Sequence, residues 1–507
     1  MDLRQVVKQR KLLLESGVLE KLAAMPQDEA LEILLEAESK AEEKKQPVIT
    51  LASVGEIVSE KNQGKKAGQA IVQVEKRQYA PSPARENGFV HSLEIPPFKK
   101  FDCDGTVEDF IAHFRNRFHK LSSILKNRVS AANGVISIEH AKGALERRKS
   151  RIIGMVGSKG VTKKGNLRFE IEDETGVMTC VAQQNKPAME KAQELWLDDV
   201  VAVDGVYSQG LFLVENVVWP GVPMRQKKTV QVEGEASIAF LSDLHVGSKY
   251  FLEDRFEKAL AFLNGTGSEE ERRIAKTIRY VIIAGDVVDG VGVYPSQEKQ
   301  LVTKNIFEQY SLLSQYLKKI PNDIQVVICP GNHDAVRDAE PQPTLPNEFV
   351  HELNQENIRF IPNPCLLRVH GLKILVYHGT SFDALVSNSQ KLGDAFDHPE
   401  KVAVEILRRR HLCPTYGEKP IVPSPEDGMV VEEVPDIFHF GHVHKNASFD
   451  YNGTVIINSG TWQGETDYQK SMGRKPTPCL MPVYDIRTGA LKILDFNDES
   501  ESKRMKA

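Results

Sequence analysis

Aspartates, histidines and one asparagine gather at five places between positions 243 and 444 of this 507-residue chain. Ser237–Leu241 runs into Asp243 and His245, and Tyr280–Ala284 runs into Asp286 and Asp289. Val326–Pro330 leads to Asn332, His333 and Asp334, Lys373–Tyr377 to His378, and Ile437–Phe440 to His442 and His444. Carboxylate and imidazole together suit a borderline divalent ion such as manganese, iron or zinc. An aspartate between two such ions can bridge them at ~3.5–4 Å, the spacing that steadies both oxygens of an in-line displacement. Asn332 adds a neutral oxygen, which keeps the summed ligand charge low enough to admit a phosphate anion. His333 beside it is placed to protonate a leaving alkoxide or to orient the scissile phosphate.

Short apolar runs must put these groups where they can meet. Each reads as a buried strand, and polar groups that follow buried strands collect at the carboxyl edge of a sheet. Glycines beside them (Gly285, Gly331, Gly379, Gly441) let the backbone turn sharply and leave room for substrate. Strands alternate with helical stretches from Ala236 to about Asp495, so residues 236–495 form one α/β domain, with a polar tail at 496–507. Residues 101–230 hold a helix, from Val107 to Ile124, and five strand-like pieces: Arg151–Val156, Leu167–Ile171, Gly176–Val181, Val200–Val203 and Leu211–Val214. A helical stretch, Ala188–Leu195, precedes the fourth. That order fits an OB-fold β-barrel or another small barrel. Residues 1–40 carry leucines and valines at helical spacing and read as a small helical module, and residues 41–100 read as a flexible linker rich in Lys, Glu, Gln, Gly and Pro.

The composition sets bounds. Hydrophobic residues at 41% and charged residues at 27% describe a globular chain with an ordinary core. A net charge of −5 excludes a polycation, so nucleic acid would be met through local basic patches. Six cysteines without a C-x-x-C pair suit a reducing interior. No apolar run approaches the ~20 residues of a membrane span, which points to a cytoplasmic protein.

The boxes D-x-H, G-D-x-x-D, G-N-H-D, a lone His after a strand, and G-H-x-H resemble the calcineurin-like metallophosphoesterase family. The resemblance implies a two-sheet sandwich flanked by helices, with a dinuclear centre at the sheet edge. It implies that Asp243, His245 and His444 hold one ion, that Asn332, His378 and His442 hold the other, that Asp286 bridges and that His333 is the catalytic acid. Asp289 and Asp334 complete their boxes as supports that orient imidazoles or bind turns. Gly290-Val291 after Asp289, and Asp334 ending the third box, depart from the serine/threonine protein phosphatases and disfavour a phosphoprotein substrate.

The wider layout resembles the small-subunit family of the archaeal family D DNA polymerases. Phe110–Phe118, Leu407–Gly417 and Asn458–Gln463 carry that likeness, which covers residue 100 onward better than the first hundred. It implies a metal-dependent 3′–5′ exonuclease that proofreads DNA ends, with two divalent ions, manganese foremost, and a large catalytic partner subunit (itself using magnesium) in a heterodimer or higher assembly. A sliding clamp is a further expected partner. Two other readings are a catalytically inactive scaffold of the polymerase and a stand-alone phosphodiesterase. The intact ligand set disfavours the first, and the barrel and linker disfavour the second. Arg408, Arg409 and Arg410 form a compact cationic run, and Arg147–Arg151 another, either of which could contact phosphates or line a solvated helix. Trp462 and Tyr468 could stack on an unpaired base or pack as a lid.

Overall fold

The computed structural model describes scattered positions between residues 7 and 54, and then residues 89–128, 134–143, 148–353, 355–387 and 389–497. The chain separates into two compact units, residues 1–79 and 80–507. In the first, Val18–Ala23 is helical, while β1 (Leu13–Leu14) pairs in parallel with β2 (Val48–Ile49). Leu13 and Leu14 are therefore a strand, where helix was expected, and Val48–Ile49 gives structure to part of the expected linker. Val18, Leu22, Ile33, Leu34 and Ile49 share a buried cluster. Residues 55–88 and 498–507, which hold most of the linker and nearly all of the tail, lie outside the described residues, as does Arg147.

The second unit opens with β3 (Leu93–Glu94), also inside the stretch read as linker. Then come β4 (Lys149–Val161), β5 (Leu167–Asp173), β6 (Gly176–Ala182), β7 (Val200–Ser208) and β8 (Leu211–Val218). They close into a barrel in the order β4-β5-β6-β8-β7, with helix Pro187–Gln193 between the third and fourth strands. Alternating residues of these strands, among them Phe169, Ile171, Met178, Cys180 and Phe212, fill its interior.

Eleven more strands follow among the described residues. They are β9 (Ser237–Leu241), β10 (Ile278–Ala284), β11 (Gln325–Cys329), β12 (Ile358–Phe360), β13 (Cys365–Val369), β14 (Leu372–Val376), β15 (Ile437–Phe440), β16 (Asn446–Tyr451), β17 (Thr454–Ser459), β18 (Leu480–Asp485) and β19 (Leu491–Asp495). Two six-stranded sheets result, β12-β11-β10-β9-β18-β19 and β16-β17-β15-β14-β13-β3. Their facing sides share one core, in which Phe240, Tyr280, Ile282 and Val327 meet Leu367, Ile374, Val376 and Ile457. Helices Glu253–Leu263 and Ile306–Leu317 cover the outer face of the first sheet, and Phe382–Ser387 and Glu400–Arg409 cover that of the second. Because both sheets are covered on both faces, β9, β10 and β15 are buried at every position and read as continuous apolar runs. β9, β10 and β11 run parallel to one another, as do β14 and β15, so each set of carboxyl ends shares an edge. Among the described residues, no helix is long and apolar enough to cross a membrane.

Helix Val107–Arg128 belongs to both halves of this unit. Its Leu121 and Leu125 pack on barrel strands. Its Arg117 reaches Asp427 of the sandwich, with Nε 2.6 Å from Oδ2.

Candidate metal centre

The five strand ends converge. Asp243, His245 and His444 bring one ligand atom each within reach of a single ion, and Asp286, His378 and His442 form a second such group. His245 Nε2 lies 3.0 Å from His444 Nε2, which in turn is 3.4 Å from Asp243 Oδ1. His378 Nε2 lies 3.2 Å from Asp286 Oδ2 and 3.1 Å from Asn332 Oδ1. Asp286 Oδ2 stands between the groups, 3.8 Å from His245 Nε2. Its other oxygen accepts the main-chain N–H of His333 at 2.8 Å. Asp243, His245, Asp286 and His378 are buried, whereas Asn332, His333 and His442 are half-buried and form the open side.

Backbone strain accompanies the geometry. Asp243 (φ 51°), His245 (51°), Asp286 (49°), His442 (69°) and His444 (57°) all adopt the left-handed region. Each such residue costs about 1–2 kcal/mol, and surrounding bonds must hold it there. Asp243 donates its N–H to the Gly285 carbonyl at 3.0 Å, and His245 donates to that of Asp286 at 3.0 Å. The Asp243 carbonyl accepts from the main chain of Trp462 and the hydroxyl of Thr461, both at 2.9 Å. Small residues leave the space: a Cβ on Gly331 would lie 2.2 Å from Asp286 Oδ1, and one on Gly441 2.2 Å from Asp243 Oδ2.

Electrostatics favour a cation here. His378 Nδ1 sits 2.8 Å from the Ala284 carbonyl, which only accepts, so a neutral His378 turns the lone pair of Nε2 toward Asp286 and Asn332. Three acceptors then face one another with no proton to share, and a positive charge resolves the conflict. Burial opposes charging His378, yet the Asp286 carboxylate pushes it up to about 10. Burial likewise raises Asp286, and the imidazoles of His378 and His333 overcome it, holding that carboxyl well below the usual range. The donor set, imidazole with carboxylate and amide oxygen, fits divalent ions.

Asp289 and Asp334 lie beside these groups. Asp289 Oδ1 lies 3.0 Å from His245 Nδ1 and also accepts from Gln463 at 2.9 Å, while its carbonyl holds His333 Nδ1 at 2.7 Å. Asp334 accepts the main-chain N–H of Gly331 at 2.8 Å and the Tyr310 hydroxyl at 3.2 Å. Burial, reinforced by the charge of Asp286, raises the Asp334 carboxyl to about 7.

Residues 238–450 match the family of the B-type subunits of DNA polymerases alpha and epsilon. The chain is also similar to curated proteins named DNA polymerase II small subunit. It is 40% identical to that of Methanocaldococcus jannaschii over 76% of this chain and 65% of the relative. For Archaeoglobus fulgidus the identity is 39%, over 76% of each chain. For Methanothermobacter thermautotrophicus it is 39%, over 80% of this chain and 85% of the relative. The chain belongs to the archaeal DNA polymerase II small subunit family.

Most of the residues expected to contact DNA are engaged within the protein. Arg409 is buried, pairs with Asp199 at 2.9 Å and with Glu405, and stacks over Trp196. Arg410 is buried too and donates to the carbonyls of Val431 at 2.6 Å and Glu432 at 2.5 Å. Arg408 pairs with Glu194 at 2.6 Å and lies over Trp219. The run joins barrel to sandwich, and its charge is spent internally. Trp462 is 0% exposed and packs against Phe256 and Phe496 in the core, so it offers no face to a base. Tyr468 is 57% exposed.

The sequence reading missed two side chains that touch the centre. Asp383 lies 2.9 Å from His442 Nε2, and Gln469 lies 2.8 Å from His444 Nδ1. Asp383 follows His378 by five positions on helix Phe382–Ser387, and Gln469 sits in the short helix Asp467–Ser471. The Thr466–Gln469 capping pattern was the one signal available for the second.

Proposed function

We propose that this chain is the 3′–5′ exonuclease subunit of a two-subunit DNA polymerase, hydrolysing phosphodiester bonds at single-stranded or mismatched DNA ends. The observation that carries the reading is the convergence of eight side chains, read from five strand ends, into one centre with an open side. Asp243, His245 and His444 would hold one divalent ion, Asn332, His378 and His442 the other, with Asp286 between them; the mixed imidazole and carboxylate donors suit a borderline ion such as manganese, iron or zinc, and we take manganese as the working choice. When bound, such ions would supply positive charge to the phosphate oxygens and lower the pKa of an attacking water.

The protein's own groups do the rest. His333 gives its Nδ1–H to the Asp289 carbonyl, which aims Nε2 at the open side; as an imidazolium it carries a second proton there, and passing that proton to the departing 3′ oxygen returns the ring to its neutral form. Its ring stands edge-on to His245 at 4.7 Å, which fixes its tilt. Selectivity for mismatched ends would follow from their lower unstacking cost, a few kcal/mol. We read the five-stranded barrel, residues 101–230 with its helix, as an OB fold, and the names of the relatives support a large catalytic subunit as the partner. DNA and a sliding clamp complete the assembly.

The test is an end-labelled mismatched primer digested in manganese. His333→Ala should keep metal binding and lose about 10²–10⁴-fold in turnover. Asp286→Ala should lose both. Full activity in either variant overturns the assignment.

A further inference from the structure

The four imidazoles assigned as ligands each turn one ring nitrogen away from the centre, and what that nitrogen meets fixes where the proton sits. His378 Nδ1 meets the Ala284 carbonyl at 2.8 Å, His245 Nδ1 meets Asp289 Oδ1 at 3.0 Å, and His442 Nε2 meets Asp383 Oδ2 at 2.9 Å. A carbonyl and two carboxylates only accept. In its neutral form, the form that can ligate, each of these imidazoles therefore donates outward and turns a lone pair inward.

His444 is different. Its Nδ1 lies 2.8 Å from Gln469 Nε2. Gln469 Oε1 is already taken, accepting the main-chain N–H of Thr466 at 3.0 Å in the capping box that starts helix Asp467–Ser471. The amide NH2 must therefore face the imidazole and donate to it. Nδ1 is then the acceptor, and the proton of a neutral His444 sits on Nε2, 3.0 Å from the lone pair of His245 Nε2. The same 3.0 Å is the spacing of two nitrogens that share one ion. For His444 to ligate through Nε2, that proton must move to Nδ1. Gln469 must then turn its oxygen toward it and give up the N–H of Thr466.

We propose that the two ion positions are inequivalent. The position of Asp286, Asn332, His378 and His442 fills first and more tightly, and Gln469 sets the weaker affinity of the position of Asp243, His245 and His444. The inference rests on the dinuclear reading given above. Gln469 is a positioning residue, and so is Asp383, whose carboxylate is steadied by Arg474 Nη2 at 3.1 Å.

The experiment is calorimetric titration of the full chain with MnCl2, with folding of each variant checked by thermal unfolding without metal. Two steps are expected. Gln469→Glu should tighten the weaker step about tenfold and leave the tighter one unchanged, because a carboxylate accepts from Thr466 and from His444 Nδ1–H together. Asp383→Ala should weaken the tighter step by about 10–100-fold. His444→Ala should remove the weaker step, and His442→Ala should remove or cripple the tighter one. If Gln469→Glu leaves both steps unchanged, or acts on the step that His442→Ala removes, the inference is overturned while the dinuclear reading stands. If the unaltered chain takes up no Mn2+, the dinuclear reading itself is overturned.

Discussion

A methyl group on Gly441 would lie 2.2 Å from Asp243 Oδ2 and 2.6 Å from Ser242 Cβ, both buried behind the centre. Neither neighbour has room to retreat, so Gly441→Ala should cost about 1–3 kcal/mol of stability and displace the Asp243 carboxylate. Manganese affinity, read by calorimetry, should fall about tenfold or more. A second residue gives a pH signature. His439 is buried, its Nε2 is 3.0 Å from Ser459 Oγ, and its Nδ1 has no partner. Ser459 gives its own proton to Ser242, so its oxygen accepts from a neutral His439. Burial pushes this imidazole down to about 3, with Asp243 opposing. Below pH 6.5 the unfolded chain takes up a proton that the folded chain refuses, so stability falls as pH drops toward 3, by roughly 3 kcal/mol at pH 4. His439→Gln keeps a donor to Ser459 without titrating. Its urea midpoint should decline less than that of the unaltered chain between pH 7 and pH 4.5, and equal declines would remove His439 from the account.

Helix Ile306–Leu317, between Asp289 and His333 in the chain, braces the loop beside the centre. Gln309 on it is fully buried, accepts the N–H of Gly290 at 2.9 Å and donates to the carbonyl of Gly290 at 3.0 Å and of Thr303 at 2.8 Å. It thereby fixes the loop after Asp289, the residue whose carbonyl orients His333. Gln309→Leu keeps the volume but orphans buried main-chain groups, which should lower stability by about 1–3 kcal/mol. Turnover should fall more than KM for DNA rises, as steady-state kinetics on a labelled primer would register. The strand ends themselves were legible because both sheets are covered: β9, β10 and β15 have no polar face to confuse their pattern. Asp383 and Gln469 were not legible, because they reach the histidines from helices at no fixed spacing from them. Leu13–Leu14 was misread for a related reason. Two residues paired with Val48–Ile49 leave no period of their own, and the leucines around them scan as helix.

At the scale of the molecule, Arg409 and Asp199 close the joint between barrel and sandwich with side chains 2% and 0% exposed. Nothing local in Arg408-Arg409-Arg410 shows that a carboxylate about two hundred positions upstream awaits it, which is why the sequence left only a phosphate contact or a solvated helix face to choose between. Removing one member of a buried pair strands the other, so Arg409→Ala should destabilise the chain by about 3–5 kcal/mol. Single-stranded DNA affinity, and its dependence on salt, should stay as they were. An unchanged unfolding midpoint, or a shallower salt dependence, would restore the surface reading. The five left-handed residues of the centre carry a different lesson, about how such a chain would age. Glycine tolerates that backbone far better than any side chain, although asparagine, aspartate and histidine bear it more readily than the rest. Under selection for folding alone, such a chain would gain stability by drifting toward glycine at Asp243, His245, Asp286, His442 and His444. Aspartate and histidine at all five thus carry a strain that folding alone does not explain.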